Sequence, residues 1–237
     1  MSTPNPFDAA LLHRAQRSEE QAAGLATPEQ AHQRRALLRE AEVLRGLADR
    51  NTAERSTPAR PPAITGTASS SAVNDPVAER SAVLSDCGTY RYSLTRRWSP
   101  GPLLGWVMLN PSIADALVDD PTIRRCVGFA RRWGFAGIVV RNLYALRATD
   151  PRELSRHPDP VGPDNHTHLD AAAGDALTVC AWGARGGTWG GDVAAQLDER
   201  GAHLVCLGST LGAQPRHPLR LAAALDPVVY VVSPRTA

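Results

Sequence analysis

Leu103-Leu104-Gly105-Trp106-Val107-Met108-Leu109-Asn110-Pro111 is the stretch that decides the fold. It is a short, almost wholly apolar run that ends in a polar turn. A strand without polar alternation is buried on both faces, and such strands belong to parallel sheets covered by helices. The pattern recurs. Residues 137–143 end in Asn142-Leu143-Tyr144, and 177–182 end in Trp182-Gly183. Residues 203–207 lead into Gly208-Ser209-Thr210, and 228–232 give a fifth run. Upstream, Tyr90-Arg91-Tyr92-Ser93-Leu94 alternates as an antiparallel or edge strand does.

Helices are expected in the gaps. Asp120 and Pro121 supply an N-cap and a first-turn proline. Ile123, Cys126, Val127, Ala130 and Trp133 then form one apolar stripe, with Arg124, Arg125, Arg131 and Arg132 on the other side and Gly134 as the stop. Residues 163–174 and 189–200 are two further helices, the second ending at Gly201. The expected fold class is α/β, a three-layer α/β/α sandwich around a mainly parallel central sheet over residues 80–237.

The composition changes before that domain. Eleven of the twelve aromatic residues lie at or after Tyr90, so the front end has little to bury. Residues 1–50 read as a helical extension, with helices over 6–23 and 28–49. Thr27-Pro28-Glu29-Gln30 starts the second one. Residues 51–79, with Pro61-Pro62 and Ser69-Ser70-Ser71, read as a flexible linker. The plain reading of the helices is a solvated extension; the sharper one is a hairpin that docks on a protein partner.

Composition also excludes chemistries. All 26 Lys+Arg residues are arginine. Without lysine there is no Schiff base to pyridoxal phosphate, no Walker phosphate loop and no kinase constellation. The net charge of +2 is too small to argue for nucleic acid by itself. The four cysteines form no C-x-x-C pair, so no structural zinc is expected. Cys126, Cys180 and Cys206 read as core residues. His166 and His168, two apart on a helix, point away from each other and share no ion. No motif calls for a cofactor or a metal. With no apolar run of about 18 residues and no secretory signal, the expectation is a cytoplasmic protein without membrane contact.

Ligands of open α/β sheets bind outside the carboxyl ends of the strands. That rule gathers Asn110, Asn142, Tyr144, Trp182, Gln214, Arg216 and His217. Two amides, an imidazole and an aromatic ring suit a planar, hydrogen-bonding ligand, because an amide offers a base edge both donor and acceptor. Asp115, Asp119 and Asp120 lie between strand and helix, where a carboxylate orients water or holds a cation. Helix capping accounts for Asp120, which leaves Asp115 as the first candidate for chemistry. His217, whose backbone is fixed by Pro215 and Pro218 on either side, is placed to stabilise an oxyanion. Asn, Ser and Gly also begin loops for turn reasons alone; convergence of several strand ends is what favours a site.

Asn110-Pro111-Ser112, Asp119-Asp120-Pro121-Thr122-Ile123-Arg124-Arg125-Cys126, the run 142–151, Gly162-Pro163-Asp164-Asn165 and Gln214-Pro215-Arg216-His217-Pro218-Leu219 resemble the bacterial family called domain of unknown function 1643, over about residues 82–232. A second resemblance is to the uracil-DNA glycosylase superfamily, from the order Asn110-Pro111, Asn142, Trp182-Gly183, His217-Pro218. The chain departs from it at Met108 and Leu109, which stand in the first glycine region, and at Leu219, which stands where that superfamily has Ser. This resemblance implies that Asn142 binds a base edge, that Tyr144 or Trp182 stacks on it, and that Gln214 and Arg216 contact the substrate. It implies that His217 stabilises the leaving base and that Asn110 or Asp115 positions water. Arg124, Arg125, Arg131 and Arg132 would contact phosphates of a nucleic acid or nucleotide. Two other readings stay open: a modified-base or nucleotide binding module without cleavage, and a metal-assisted small-molecule hydrolase using Asp115, Asp119 and Asp120.

Overall fold

The computed structural model describes residues 6–31, 34–35, 37–38, 41–42, 44–46, 48–49, 79–112, 114 and 117–232. The linker expected over 51–79 lies, up to residue 78, outside the described residues, and so does Asp115. The chain divides into two compact units, residues 1–76 and 77–237.

In the first unit, α1 spans Pro6–Ala23, and the described residues between 31 and 49 are helical (α2). Between them, Gln30 accepts from the Thr27 N–H at 3.4 Å and fixes the turn that opens α2. Ala15, Ser18 and Ala22 on α1 and Ala41, Leu44 and Ala48 on α2 are buried. They recur three or four residues apart, so each helix buries one narrow stripe of mostly small side chains. Arg45 of α2 pairs with Glu19 of α1 through both carboxylate oxygens.

The second unit is α/β, built on a seven-stranded mixed sheet. Its strands are β1 (Glu79–Leu84), β2 (Arg91–Arg97), β3 (Leu103–Met108), β4 (Gly137–Asn142), β5 (Leu177–Cys180), β6 (Leu204–Cys206) and β7 (Val228–Val229). The order is β1-β2-β4-β3-β5-β6-β7. The four strands in the middle, β4, β3, β5 and β6, run parallel. On one side β2 pairs antiparallel with β4 and β1 antiparallel with β2, and on the other β7 pairs antiparallel with β6. Four of the five apolar runs mark the parallel centre, and the fifth, over 228–232, gives the short antiparallel β7. β1 was not legible in the sequence, because Glu79-Arg80-Ser81 is polar and the strand is buried on neither face. β2 continues three residues past the alternating stretch and is covered by β1, so it is not an edge. Its extension carries the buried Arg96, whose Nε donates to Asp119 at 2.8 Å.

Adjacent residues of a strand point to opposite faces. Trp106 of β3 meets Phe129 and Trp133 at 6.2 and 6.4 Å between ring centres. Phe129 belongs to α3 (Pro121–Arg132) and Trp133 caps that helix. Val107, the next residue, packs in a cluster with Leu169, Val193, Ala194 and Leu197, from α4 (Asn165–Asp170) and α5 (Gly187–Glu199). A short 3-10 turn, Ala171–Gly174, completes the helical region expected over 163–174. α3 begins as its sequence dictates: Asp120 Oδ1 accepts from the Ile123 N–H at 2.8 Å. It ends with Gly134 at φ +80°, where Phe135 and Gly134 donate to the carbonyls of Ala130 and Arg131. This pair of hydrogen bonds closes a helix on a left-handed residue, and α5 closes on Gly201 in the same way.

Candidate functional site

The chain passes from β3 to β4 on one side and returns to β5 on the other, so the strand order reverses at β3. Open α/β sheets bind ligands outside the carboxyl ends of the strands at such a switch point. A cavity of about 390 Å³ occupies this place. It is at the small end of ligand sites, about large enough for a base or a nucleoside. Asn110, Asp120, Asn142, Trp182, Arg185 and His217 line it.

The acceptors come from the β3–α3 side. Asn110 Nδ2 donates to the carbonyls of Pro111 (2.9 Å) and Ala148 (2.7 Å). Both partners are acceptors, so the amide orientation is fixed and Oδ1 is the end left for a ligand. Asp120 commits Oδ1 to the helix cap, and no described group donates to Oδ2. The donors come from β4 and the later loops. Asn142 is 1 % exposed, and its Nδ2 has no hydrogen-bond partner among the described residues. A buried donor left unpaired costs about 1–3 kcal/mol, and one that lines a cavity is satisfied by what fills it. The Asn142 turn is itself held from behind: Asn165 Nδ2 donates to the carbonyls of Asn142 and Leu143 at 3.0 and 3.1 Å. This accounts for the asparagine in Gly162-Pro163-Asp164-Asn165.

His217 Nδ1 accepts from the Leu219 N–H at 3.3 Å. The neutral ring therefore carries its proton on Nε2, a second donor group. Burial pushes the His217 pKa down, opposed by the charge of Asp120. His168, on α4, is also held below the ordinary value, first by burial and then by the charge of Arg141. For both, the unfolded chain takes up a proton near pH 6.5 that the folded chain refuses. Stability should therefore be fully present above that pH and fall as the pH drops below it. The urea midpoint should be lower at pH 5.5 than at pH 7.5, and a double His168→Gln, His217→Gln variant should flatten that difference.

Trp182 forms a rigid wall. Its Nε1 donates to Gln214 Oε1 at 2.8 Å, and its ring meets Tyr230 edge-on at 5.7 Å. A Cβ on Gly186 or Gly190 would lie 1.9 or 2.6 Å from the indole, so both glycines make the slot. Gly186→Ala should cost about 1–3 kcal/mol by overpacking, read as a lowered urea midpoint together with a changed tryptophan spectrum. An unchanged spectrum would mean that the indole is not held there.

Other expected site residues stand elsewhere. Tyr144 does not line the cavity; it packs against the cluster beneath α4 and α5. Gln214 acts only through Trp182. Arg216 is exposed outside the cavity. The four helix arginines are spent on the fold. Arg124 donates to the Asp119 carbonyl, and Arg125 donates to the Leu221 carbonyl and sits over Phe129. Arg131 lies 4.6 Å over Trp98, and Arg132 bonds the Ala224 carbonyl and Asp226. They pin α3 to neighbouring loops and do not reach the cavity. Asp119 gives one oxygen to Arg96 and the other to Arg80, so it does not join Asp120 in a ligand set. Two charged lining residues have no role in the sequence reading, Arg91 and Arg185. Arg185 follows Trp182 by three residues at the same strand end, which is the signal that could have found it.

No curated protein and no solved structure matches the chain. A family model described as a protein of unknown function, DUF1643, matches residues 91–219, more than half of the chain. The match takes in every strand end that builds the cavity, and the chain belongs to the DUF1643 family.

Proposed function

We propose that the protein recognises a nucleobase in this cavity and hydrolyses its N-glycosidic bond, on a nucleotide or a nucleic acid. The observation that carries the reading is Asn142, a buried amide whose donor is unpaired and which lines a base-sized cavity. The order Asn110-Pro111, Asn142, Trp182-Gly183, His217-Pro218, which resembles the uracil-DNA glycosylase superfamily, supports it.

The roles follow from the placement of donors and acceptors. Asn142 Nδ2 donates to an acceptor on the base edge, with Trp182 as a fixed wall. Asn110 Oδ1 and Asp120 Oδ2 accept from a water molecule and aim it at the anomeric carbon. As the carbon–nitrogen bond breaks, its electron pair leaves with the base, and the sugar carries oxocarbenium character, which the Asp120 charge stabilises. The His217 Nε2–H donates to the developing negative charge on the base. The water oxygen bonds to the anomeric carbon, and its proton passes to Asp120.

We further read the domain as a three-layer sandwich, because Trp106 and Val107 send packing to helices on opposite faces. No described helix is long and apolar enough to cross a membrane, and the four free cysteines suit a reducing cytoplasm. The N-terminal helices we assign to a protein partner. Free base detected by mass spectrometry after incubation with modified nucleotides and oligonucleotides tests the catalytic reading. Retention of a ligand without base release would favour a binding module instead.

A further inference from the structure

Base recognition leaves one part of the cavity unexplained. Arg185 lines it and is exposed, and no described residue bonds its guanidinium. Arg91, also on the lining, is buried and donates to the Ala114 carbonyl. Asp120 is the one carboxylate of the described lining, and its Oδ1 is held by the helix cap. Arg185 thus presents to the cavity a cation that no described residue pairs. The turn that holds it adds partial positive charge. Arg185 ends the short helix Gly183–Arg185, directly before α5. The N-cap of α5 is Gly186, which has no side chain to satisfy the first-turn N–H groups. α3, at the same end of the sheet, has Asp120 for that purpose. An uncapped N-terminus presents partial positive charge. It does so beside a cavity that already holds the unpaired, buried Asn142 donor.

We propose that the ligand is anionic: a phosphate attached to the base-bearing sugar binds Arg185 at the start of α5, while Asn142 holds the base. This rests on the nucleobase reading above and adds to it the place where the phosphate of that nucleotide or nucleic acid is held. The phosphate is either the monoester of a free nucleotide or a diester of a single strand. A planar guanidinium with no protein partner suits both.

Isothermal titration of the full chain at low salt separates the possibilities. The probes are the common nucleosides, their 5′-monophosphates and single-stranded pentamers containing the same bases. At least one phosphorylated probe should bind about tenfold or more tighter than its nucleoside, the scale of one charge-assisted hydrogen bond. Arg185→Gln should remove that margin, and Arg220→Gln, an exposed arginine outside the cavity, should keep it. A margin with the monophosphate identifies a free nucleotide; a margin only with the pentamer identifies a strand. Equal binding of nucleoside and phosphorylated probes, or a margin that survives Arg185→Gln, overturns this inference and leaves the nucleobase reading standing. Absence of binding by every probe overturns both.

Discussion

Replacing Gly105 with alanine should cost about 3–5 kcal/mol, although the change adds one methyl group in the middle of β3. Arg141 on β4 and Asp175, which precedes β5, form an ion pair with N–O distances of 2.5 and 3.4 Å. Their side chains are 9 % and 10 % exposed. A Cβ on Gly105 would lie 2.1 Å from Asp175 Oδ2 and 2.9 Å from Thr178 Oγ1. The carboxylate must move, and with both of its oxygens bonded to Arg141 the movement works against that ion pair. Burial already pushes the Asp175 pKa up, with Arg141 pulling the other way. Breaking such a pair leaves an uncompensated buried guanidinium, which is where the cost of about 3–5 kcal/mol arises. That is a large part of the ~5–15 kcal/mol that holds an ordinary domain together. The mechanism has its own check. If Gly105→Ala acts by expelling Asp175, then Asp175→Ala should add little in the Gly105→Ala background. Additive losses in urea melts of the two variants would show that the alanine acts by another route.

Asp120→Asn should lower base release by about 10²–10⁴-fold, the usual contribution of a positioned acid–base group. It should change stability by less than about 0.5 kcal/mol. Asparagine caps helices as well as aspartate does, so the bond to the Ile123 N–H survives while the charge facing the cavity is lost. Asp120→Ala should show both losses, adding about 1 kcal/mol for the cap. The pair of variants separates the two roles of one side chain. Equal turnover in wild type and Asp120→Asn would reduce Asp120 to a cap.

Much of this site could be read from the chain before any coordinates. Asn110, Asn142, Trp182 and His217 stand at or beyond the ends of apolar runs, and a parallel sheet brings such ends to one side. The cap at Asp120 and the stop at Gly134 are local, so α3 was legible to within a residue. What escaped depends on partners far away along the chain. Arg125 bonds the Leu221 carbonyl across 96 positions, and Arg132 bonds Asp226 across 94. Helical periodicity shows only that these arginines face away from the stripe. Tyr144 follows Asn142 by two residues, but the strand ends at Asn142, so its alternation no longer sets where the ring goes. Asp119 and Asp120 are adjacent and chemically identical. Only the positions of Arg80 and Arg96 assign one to the scaffold and leave the other at the cavity.

The account stands most directly on Asn142. Wild-type protein and Asn142→Ala should be incubated with a pool of nucleotides and oligonucleotides carrying uracil, damaged and hypermodified bases, and free base should be measured by mass spectrometry. The account predicts that wild type releases one class of base and that Asn142→Ala releases it at least about 10²-fold more slowly, the scale of one lost donor in a preorganised site. Its fold should be retained, since no described residue accepts a hydrogen bond from the lost amide donor. No base released by wild type, or equal release by both proteins, would contradict it.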